Sequence, residues 1–356
     1  MRQESLTFLT GYLNNNSPVG FETAGQRLWL DYITPYADET FTDVYGTAVA
    51  VINPGADYKV VIEAHADEIS WYVNYITESG YIYLKRNGGS DYAIAPSMRA
   101  KIHTPNGTVT GIFGWPAIHV RDKAKEETPG AKNIFIDVGC SNRDEVNKLG
   151  IDIGCVVTFD ADMMIMNEKW IVGRALDNRI GGFMIAEAAR KLKENGINLP
   201  YSLYVVNAVQ EEVGLRGAAM IADRIAPDVA IITDVTHDTT APMYDKQLQG
   251  ERTCGKGPVL TFAPAVQNNV LAMLFDAAKA VEIPVQRCAS SGSTGTDTDS
   301  FAYSGKGVAS ALISLALRYM HTTVEMVHTD DVNGVIELMY QFLAKLPAGH
   351  DFRYIK

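Results

Sequence analysis

A chain of 356 residues is too long for one simple core and suits a large unit with a smaller one, or two comparable ones. Its 47% apolar and 21% charged residues are those of a soluble globular protein, and a formal net charge of -11 argues against nucleic acid or an anionic membrane as the main partner. Cys140, Cys155, Cys254 and Cys288 form no CxxC pair or disulfide framework, the N-terminus has no cleavage-like site, and no apolar run nears the roughly 18 residues of a membrane span; the expectation is a cytoplasmic protein with reduced thiols.

Residues 4–14 carry Leu6, Leu9 and Leu13 at helical spacing, and Ser17-Pro18-Val19-Gly20 reads as a turn. Glu22 to Ile33 is a second helix, with Leu28 and Tyr32, and Trp29 and Ile33, forming an apolar stripe. Thr47 to Asn53 and Tyr58 to Glu63 read as strands, the second running straight into His65-Ala66-Asp67-Glu68. From about Ile69 to Asn167 the texture changes to short strand-like pieces between turn signals such as Asn87-Gly88-Gly89 and Pro129-Gly130, with a hairpin over Lys101 to Gly114 and one helix, Arg143 to Leu149. Residues 69–167 therefore read as an inserted β-rich module, and residues 1–68 with 168–356 as one discontinuous α/β unit. Helices are expected at Asn178–Asn195, Leu215–Ile225, Gln267–Val281 and Asp331–Lys345. Strands are expected at Leu203–Val209, Val229–Thr233, Val259–Phe262, Val285–Ala289 and Val308–Leu315. That alternation predicts a mostly parallel sheet covered by helices on both faces.

In an open α/β sheet, ligands collect beyond the carboxyl ends of the strands. Here His65 and Asp67 follow one strand, Glu211 and Glu212 a second, and Asp234 a third. His321 follows the apolar run ending at Leu317, and Asp177 stands just before a helix. Two imidazoles with several carboxylates and no thiolate suit zinc, cobalt or manganese. Carboxylates that converge without cations would repel and raise each other's pKa. Asp67 is well placed to accept the second ring N–H of His65. Adjacent residues at a strand end diverge, so one of Glu211 and Glu212 can bind a metal while the other handles a proton. Two metals roughly 3.5–4 Å apart can share a carboxylate and a water, and a carboxylate that is not a ligand can pass the water's proton to a leaving amine.

The segments His65-x-Asp67-Glu68, Gly173-Arg174-Ala175-Leu176-Asp177-Asn178-Arg179, Val209 to Gly217 (VQEEVGLRG), Thr233-Asp234-Val235-Thr236 and Arg318-Tyr319-Met320-His321-Thr322 resemble, in order and spacing, the co-catalytic metallo-aminopeptidases of metallopeptidase family forty-two, the TET, deblocking and glutamyl aminopeptidases. The resemblance implies two divalent metal ions per subunit, with Asp177 bridging them. His65 and Asp234 would complete one site, and Glu212 and His321 the other. Glu211 would be general base and acid, and Asp67 would orient His65. It further implies a Zn-peptidase α/β fold carrying a PDZ-like β barrel, through which subunits pair as dimers and assemble into dodecamers, and peptide substrates with a free N-terminus. Two stretches depart from the commoner pattern: Ser290-Ser291-Gly292-Ser293-Thr294-Gly295 with Thr298-Asp299-Ser300, and Thr322-Thr323. Both fall on the expected substrate side, so they bear on side-chain preference.

His103, His119, His237, His328 and His350 lie outside these motifs and are expected at the surface or as satisfied core residues. Gly250 to Gly257 nearly spells a phosphate-binding loop, but Gly257 stands where a Mg²⁺-binding Ser or Thr belongs and Pro258 begins a strand. No HExxH or GxSxG occurs, which disfavours a single-zinc protease or a serine hydrolase. The pair Asp297 and Asp299 is expected to shape the pocket rather than bind metal. Besides aminopeptidase action, the residues allow an N-acyl amino-acid deacylase, a metal-independent glycoside hydrolase using Glu211 and a second carboxylate, or a non-catalytic assembly protein.

Overall fold

The computed structural model describes residues 1–122, 124 and 126–355. The chain opens with α1 (Gln3–Asn14), α2 (Thr23–Ile33), β1 (Glu39–Thr42), β2 (Ala48–Ile52) and β3 (Lys59–His65). There follow β4 (Ser70–Ile76), β5 (Ile82–Asn87), β6 (Arg99–Thr104), β7 (Gly107–Phe113), β8 (Phe135–Asp137), α3 (Arg143–Lys148) and β9 (Val156–Phe159). The next elements are β10 (Met164–Met166), β11 (Trp170–Gly173), α4 (Leu176–Glu194), β12 (Ser202–Ala208), α5 (Arg216–Ile225) and β13 (Val229–His237). The last are α6 (Lys246–Gln249), β14 (Val259–Phe262), α7 (Asn268–Ala280), β15 (Gln286–Ala289), α8 (Thr298–Ala302), β16 (Ala309–Arg318), β17 (Glu325–His328) and α9 (Thr329–Lys345).

The large sheet has the order β1-β2-β12-β3-β13-β16-β17-β11-β10, with β14 against β16 and β15 against β14. At its centre β12, β3, β13 and β16 run parallel. Val60, Val61 and Ile62 are successive and fully buried, which requires cover on both faces. The strands toward either edge pair antiparallel. Strands β4 to β9 instead close into a six-stranded barrel, in the order β4-β5-β8-β7-β6-β9, around Trp71, Phe113, Ile136 and Val157. Closure leaves these short strands no open edge. The chain is back in the large sheet by Met164.

Expected and observed elements differ in ways that matter for the site. β13 runs four residues beyond Thr233, because its ladder with β16 continues to His237↔Leu317, so Asp234 lies within a strand rather than after it. β1, β10, β11 and β17 have no counterpart in the sequence pattern: they are three or four residues long, and β11 and β17 hold their place by pairing with each other across the chain. Among the described residues no helix is long and apolar enough to cross a membrane, and all four cysteines are free.

Two glycines permit the close packing that aligns the parallel strands. Gly181 faces β3, where an added Cβ would stand 2.8 Å from that of Ala64, so α4 lies tight on the strand that ends in His65. Gly217 opens α5 directly over the end of β12, and an added Cβ there would meet the carbonyl oxygen of Val209 at 2.3 Å and its nitrogen at 2.6 Å. Gly217→Ala should therefore destabilise the fold by about 1–3 kcal/mol, since the obstacle is backbone; a lowered urea midpoint with an unchanged m-value is the expected reading.

Candidate metal centre

Side by side in the sheet, β12, β3, β13 and β16 deliver their carboxyl ends to one place. His65 is the last residue of β3 and pairs with Ala208 of β12; Asp234 lies in β13, paired with Ser314 of β16. Glu211 and Glu212 sit in the turn after β12, entered through Gln210 at φ 58° and left through Leu215 at φ 58°. His321 follows β16 at φ 61°, with Tyr319 also at 61°. Asp177 enters from the opposite side, at the start of α4 after Ala175 at φ 57°. Positive φ at non-glycine residues costs energy and tends to gather at functional sites.

Asp177 is the centre of the arrangement. Its Oδ1 lies 3.2 Å from His65 Nε2, and its Oδ2 lies 3.2 Å from His321 Nε2. Asp234 Oδ1 is 3.8 Å from His65 Nε2, and Glu212 Oε1 is 3.4 Å from His321 Nε2. Two sets of three donors result, His65–Asp177–Asp234 and Asp177–Glu212–His321, each with its atoms within 4.8 Å of one another. Glu211 belongs to neither set; its Oε2 is 4.0 Å from His65 Nε2. Asp67 stands 3.5 Å from His65 Nδ1, which makes no hydrogen bond. Its firm contacts are with the turn after β12, where Oδ1 accepts from the backbone N–H of Glu211 (3.0 Å) and Oδ2 from that of Glu212 (3.1 Å). All seven predicted residues thus meet, and Asp67 also fixes the backbone of the two glutamates.

The donors suit divalent cations on a local observation. Glu212 Oε1 is buried without a hydrogen bond, and the cavity of about 310 Å³ over the two sets is lined by Asp177, Glu211, Glu212 and Asp234 but by no Lys or Arg among the described residues. Burial raises Glu211 to about 9 despite the nearby His65. Burial likewise lifts Asp234 well above the carboxylate range. Against the effect of burial, Asp177 and Glu212 raise His321 to about 11, and Asp177 and Asp67 raise His65 well above its ordinary value. The two imidazoles in turn hold Asp177 below the usual carboxylate range, although burial opposes this. Charge is missing from the site, and protons take its place.

The M42 glutamyl aminopeptidase family model matches residues 46–338. The chain belongs to this family. A lysyl aminopeptidase of Pyrococcus furiosus is 34% identical over 92% of this chain and 93% of its own length. The crystal structure of a TET aminopeptidase from a marine sediment archaeon, a member of the Thaumarchaeota, has a TM-score of 0.91 at 27% identity, covering 97% of this chain and 98% of that one. A TET1 peptidase of Pyrococcus horikoshii that can assemble into a tetrahedron or a large octahedral shell shares the fold, with a TM-score of 0.85 at 22% identity over 96% of this chain and all of that one. M42 membership makes the protein a hydrolase of the aminopeptidase class.

The other singled-out residues lie elsewhere or serve the fold. His103 bonds Thr158 Oγ1 within the barrel, and His328 Nδ1 accepts from the N–H of Asp330 at the start of α9. The loop from Gly250 to Gly257 offers no free phosphate cradle, because Asp331 already accepts from the N–H groups of Gly255 and Gly257 at 2.6 and 2.7 Å. His237 does line the cavity. Sequence reasoning missed Glu325, a buried carboxylate on β17 that accepts from the N–H of Asp177 (3.1 Å) and of His321 (2.7 Å). It also missed Asn178, whose side chain donates to Thr233 O at 2.8 Å and ties α4 to β13. Glu325 stands four residues past His321, but the contact that brings it to Asp177 spans about 150 residues of chain, which no local pattern marks.

Two outcomes are expected. Glu325→Ala should weaken divalent-metal affinity about 10–100-fold, because Asp177 and His321 lose a common anchor; metal content after dialysis against graded chelator reads this. The imidazole protons must leave for a cation to bind, so affinity should fall as pH falls, by about tenfold per pH unit for each proton displaced. Chelator-competition titrations at pH 6 and 8 check the direction, and proton release into a weak buffer checks the count.

Proposed function

We propose that the protein is a two-metal aminopeptidase that removes the N-terminal residue from peptides with a free amino group. The observation that carries this reading is Asp177, whose two oxygens each stand 3.2 Å from a different imidazole. His65 and Asp234 would hold one cation, Glu212 and His321 the other, and Asp177 both. Zn²⁺ suits this nitrogen and oxygen set best, with Co²⁺ or Mn²⁺ as substitutes. When bound, such cations supply the positive charge that polarises the scissile carbonyl and makes a water acidic. Glu211, outside both donor sets, takes the proton of that water and delivers it to the leaving amine. In the metal-free protein burial favours its protonated form, and the positive charge of bound cations would favour the carboxylate that can accept the water's proton. Asp67 keeps Glu211 and Glu212 in their divergent positions through their backbone N–H groups.

The proposal includes a cytoplasmic homo-oligomer in which the β-rich module, residues 69–167, makes contacts between subunits of the catalytic unit formed by residues 1–68 and 168–356. Exposed Tyr75, Tyr81, Ile112, Ile118 and Val120 on that module support an assembly role. So does the TET1 relative's ability to form closed shells.

Glu211→Gln tests the assignment of the base. Turnover of aminoacyl-anilides should drop about 10²–10⁴-fold while metal content stays at the wild-type level; full activity in this variant would remove Glu211 from the mechanism. In the same assay chelation should abolish turnover and Zn²⁺ or Co²⁺ restore it, and peptides acetylated at the N-terminus should resist. Cleavage of the acetylated peptides in preference would indicate a deacylase instead.

A further inference from the structure

Beyond the metal donors, the cavity wall is formed by Val235, Thr236, His237, Thr294, Thr296 and Met320. No Lys, Arg, Asp or Glu among the described residues lines that side. Asp238, Arg252, Asp297 and Asp299 are not part of its lining. Asp299 Oδ2 accepts from Ser293 Oγ (2.6 Å), Thr294 N (2.9 Å) and Gly295 N (3.3 Å), so its charge is consumed in bracing its own loop. Arg252 is 6% exposed and donates to Gln249 O (2.7 Å), His237 O (3.0 Å) and Cys288 Sγ (3.2 Å). Asp238 is fully buried and paired with Arg318 at 2.8 Å. Asp297 is 1% exposed, beside the fully buried carboxylate of Glu63, and does not reach the cavity wall.

What the wall does offer is hydroxyl and apolar surface. Thr294 Oγ1 and Thr296 Oγ1 are 2.9 Å apart, and Thr296 Oγ1 is 2.9 Å from Thr298 Oγ1, so the hydroxyls form a chain held by the 293–299 loop. Val235 and Met320 supply the apolar part. The His237 ring, held below its ordinary pKa by burial and by Arg252, stays neutral near pH 7.

We infer that the site takes peptides whose N-terminal side chain is uncharged, aliphatic or hydroxyl-bearing, and rejects lysyl and glutamyl N-termini. The inference deepens the proposed aminopeptidase function and rests on it. An ammonium or carboxylate pressed against this wall loses its water and finds no counter-charge, whereas a valine, leucine or threonine side chain finds apolar contact or a hydroxyl. From this loop Thr294, Gly295 and Thr296 reach the cavity.

The Zn²⁺-loaded protein is assayed with aminoacyl-anilides of Ala, Thr, Val, Leu, Lys and Glu. The best neutral substrate should exceed the lysyl and glutamyl ones in kcat/KM by about 100-fold. Binding gives a readout independent of turnover: by calorimetry, threonine, valine or leucine should bind about tenfold or more tighter than lysine or glutamate. His237→Glu, and separately Thr294→Asp, place a carboxylate in the wall and should raise lysyl-anilide kcat/KM at least about tenfold with metal content unchanged. Lysyl or glutamyl substrates leading the panel would overturn this inference alone, as would folded, metal-loaded forms of both variants that gain nothing. Absence of turnover across the panel, with the neutral amino acids still binding tighter, would sink the aminopeptidase reading and leave the uncharged pocket standing.

Discussion

Crowding of like charge at the ends of four parallel strands is the constraint on which the structure turns. Asp177, Glu211, Glu212 and Asp234 share one cavity wall with two imidazoles. Two unit charges 4 Å apart at an effective dielectric near 20 interact by about 4 kcal/mol. A whole domain is stabilised by only about 5–15 kcal/mol, so several such repulsions cannot be carried unrelieved. Positive charge must enter as protons or as cations. With protons, the outcome is that of the donors described above: raised imidazoles, raised Glu211 and Asp234 carboxyls, and Asp177 held below the usual carboxylate range between the two rings. Glu325, Asn178 and Asp67 hold the converging geometry from behind, an arrangement whose donors suit cations.

The chain has guanidinium groups close by and turns them away. Arg174 and Arg179 flank Asp177 in one short segment, yet both are buried and bonded to groups other than the donors. Arg174 pairs with Glu68 and donates to the carbonyls of Leu13, Asn14 and Asn15. Arg179 reaches the Asn15 carbonyl and stacks over the Tyr12 ring at 4.5 Å. Glu68 Oε1 also accepts from the N–H of Ser17 at 2.7 Å. The segment from Gly173 to Arg179 therefore has two faces. Its arginines fasten α1 and the following turn to the root of the barrel, and its aspartate serves the cavity. Adjacent in the chain, Asp67 and Glu68 divide in the same way.

How much of this could be read beforehand depends on the range of the interaction. Strand ends and helix starts are local, so the positions of His65, Asp177, Glu211, Glu212 and His321 followed from breakers and apolar runs. Their convergence followed from the rule that parallel strands deliver their carboxyl ends to one edge. The antiparallel flank β17-β11-β10 was illegible, because pieces of three or four residues carry too little periodicity to mark themselves. Glu325 was lost with it. The β-rich texture of the barrel was visible, whereas its closure depends on β4 meeting β9 some 85 residues later, a pairing no local pattern encodes. Asp67 shows a subtler limit: its nearness to His65 was readable from the spacing, but its stronger bonds go to the backbone of residues 144 and 145 positions away.

The barrel is nonetheless part of the site. Its strand β5 ends in Asn87, whose side chain donates to Val19 O (3.0 Å) and Ser70 Oγ (2.9 Å), and the chain then passes Gly88 and Gly89 directly beside the second donor set. A Cβ at Gly89 would lie 2.7 Å from both Cε1 and Nδ1 of His321, and one at Gly88 would lie 3.3 Å from Cβ of Glu212. Only backbone without side chains fits there, so these two residues form a wall against which the imidazole rests. His321 is held on one side by Glu325, from β17 of the large sheet, and on the other by a turn of the barrel. The placement of the second donor set is thus fixed by both structural units, and a displacement of the barrel relative to the sheet would move that imidazole before it moved His65, whose place is set within the sheet alone.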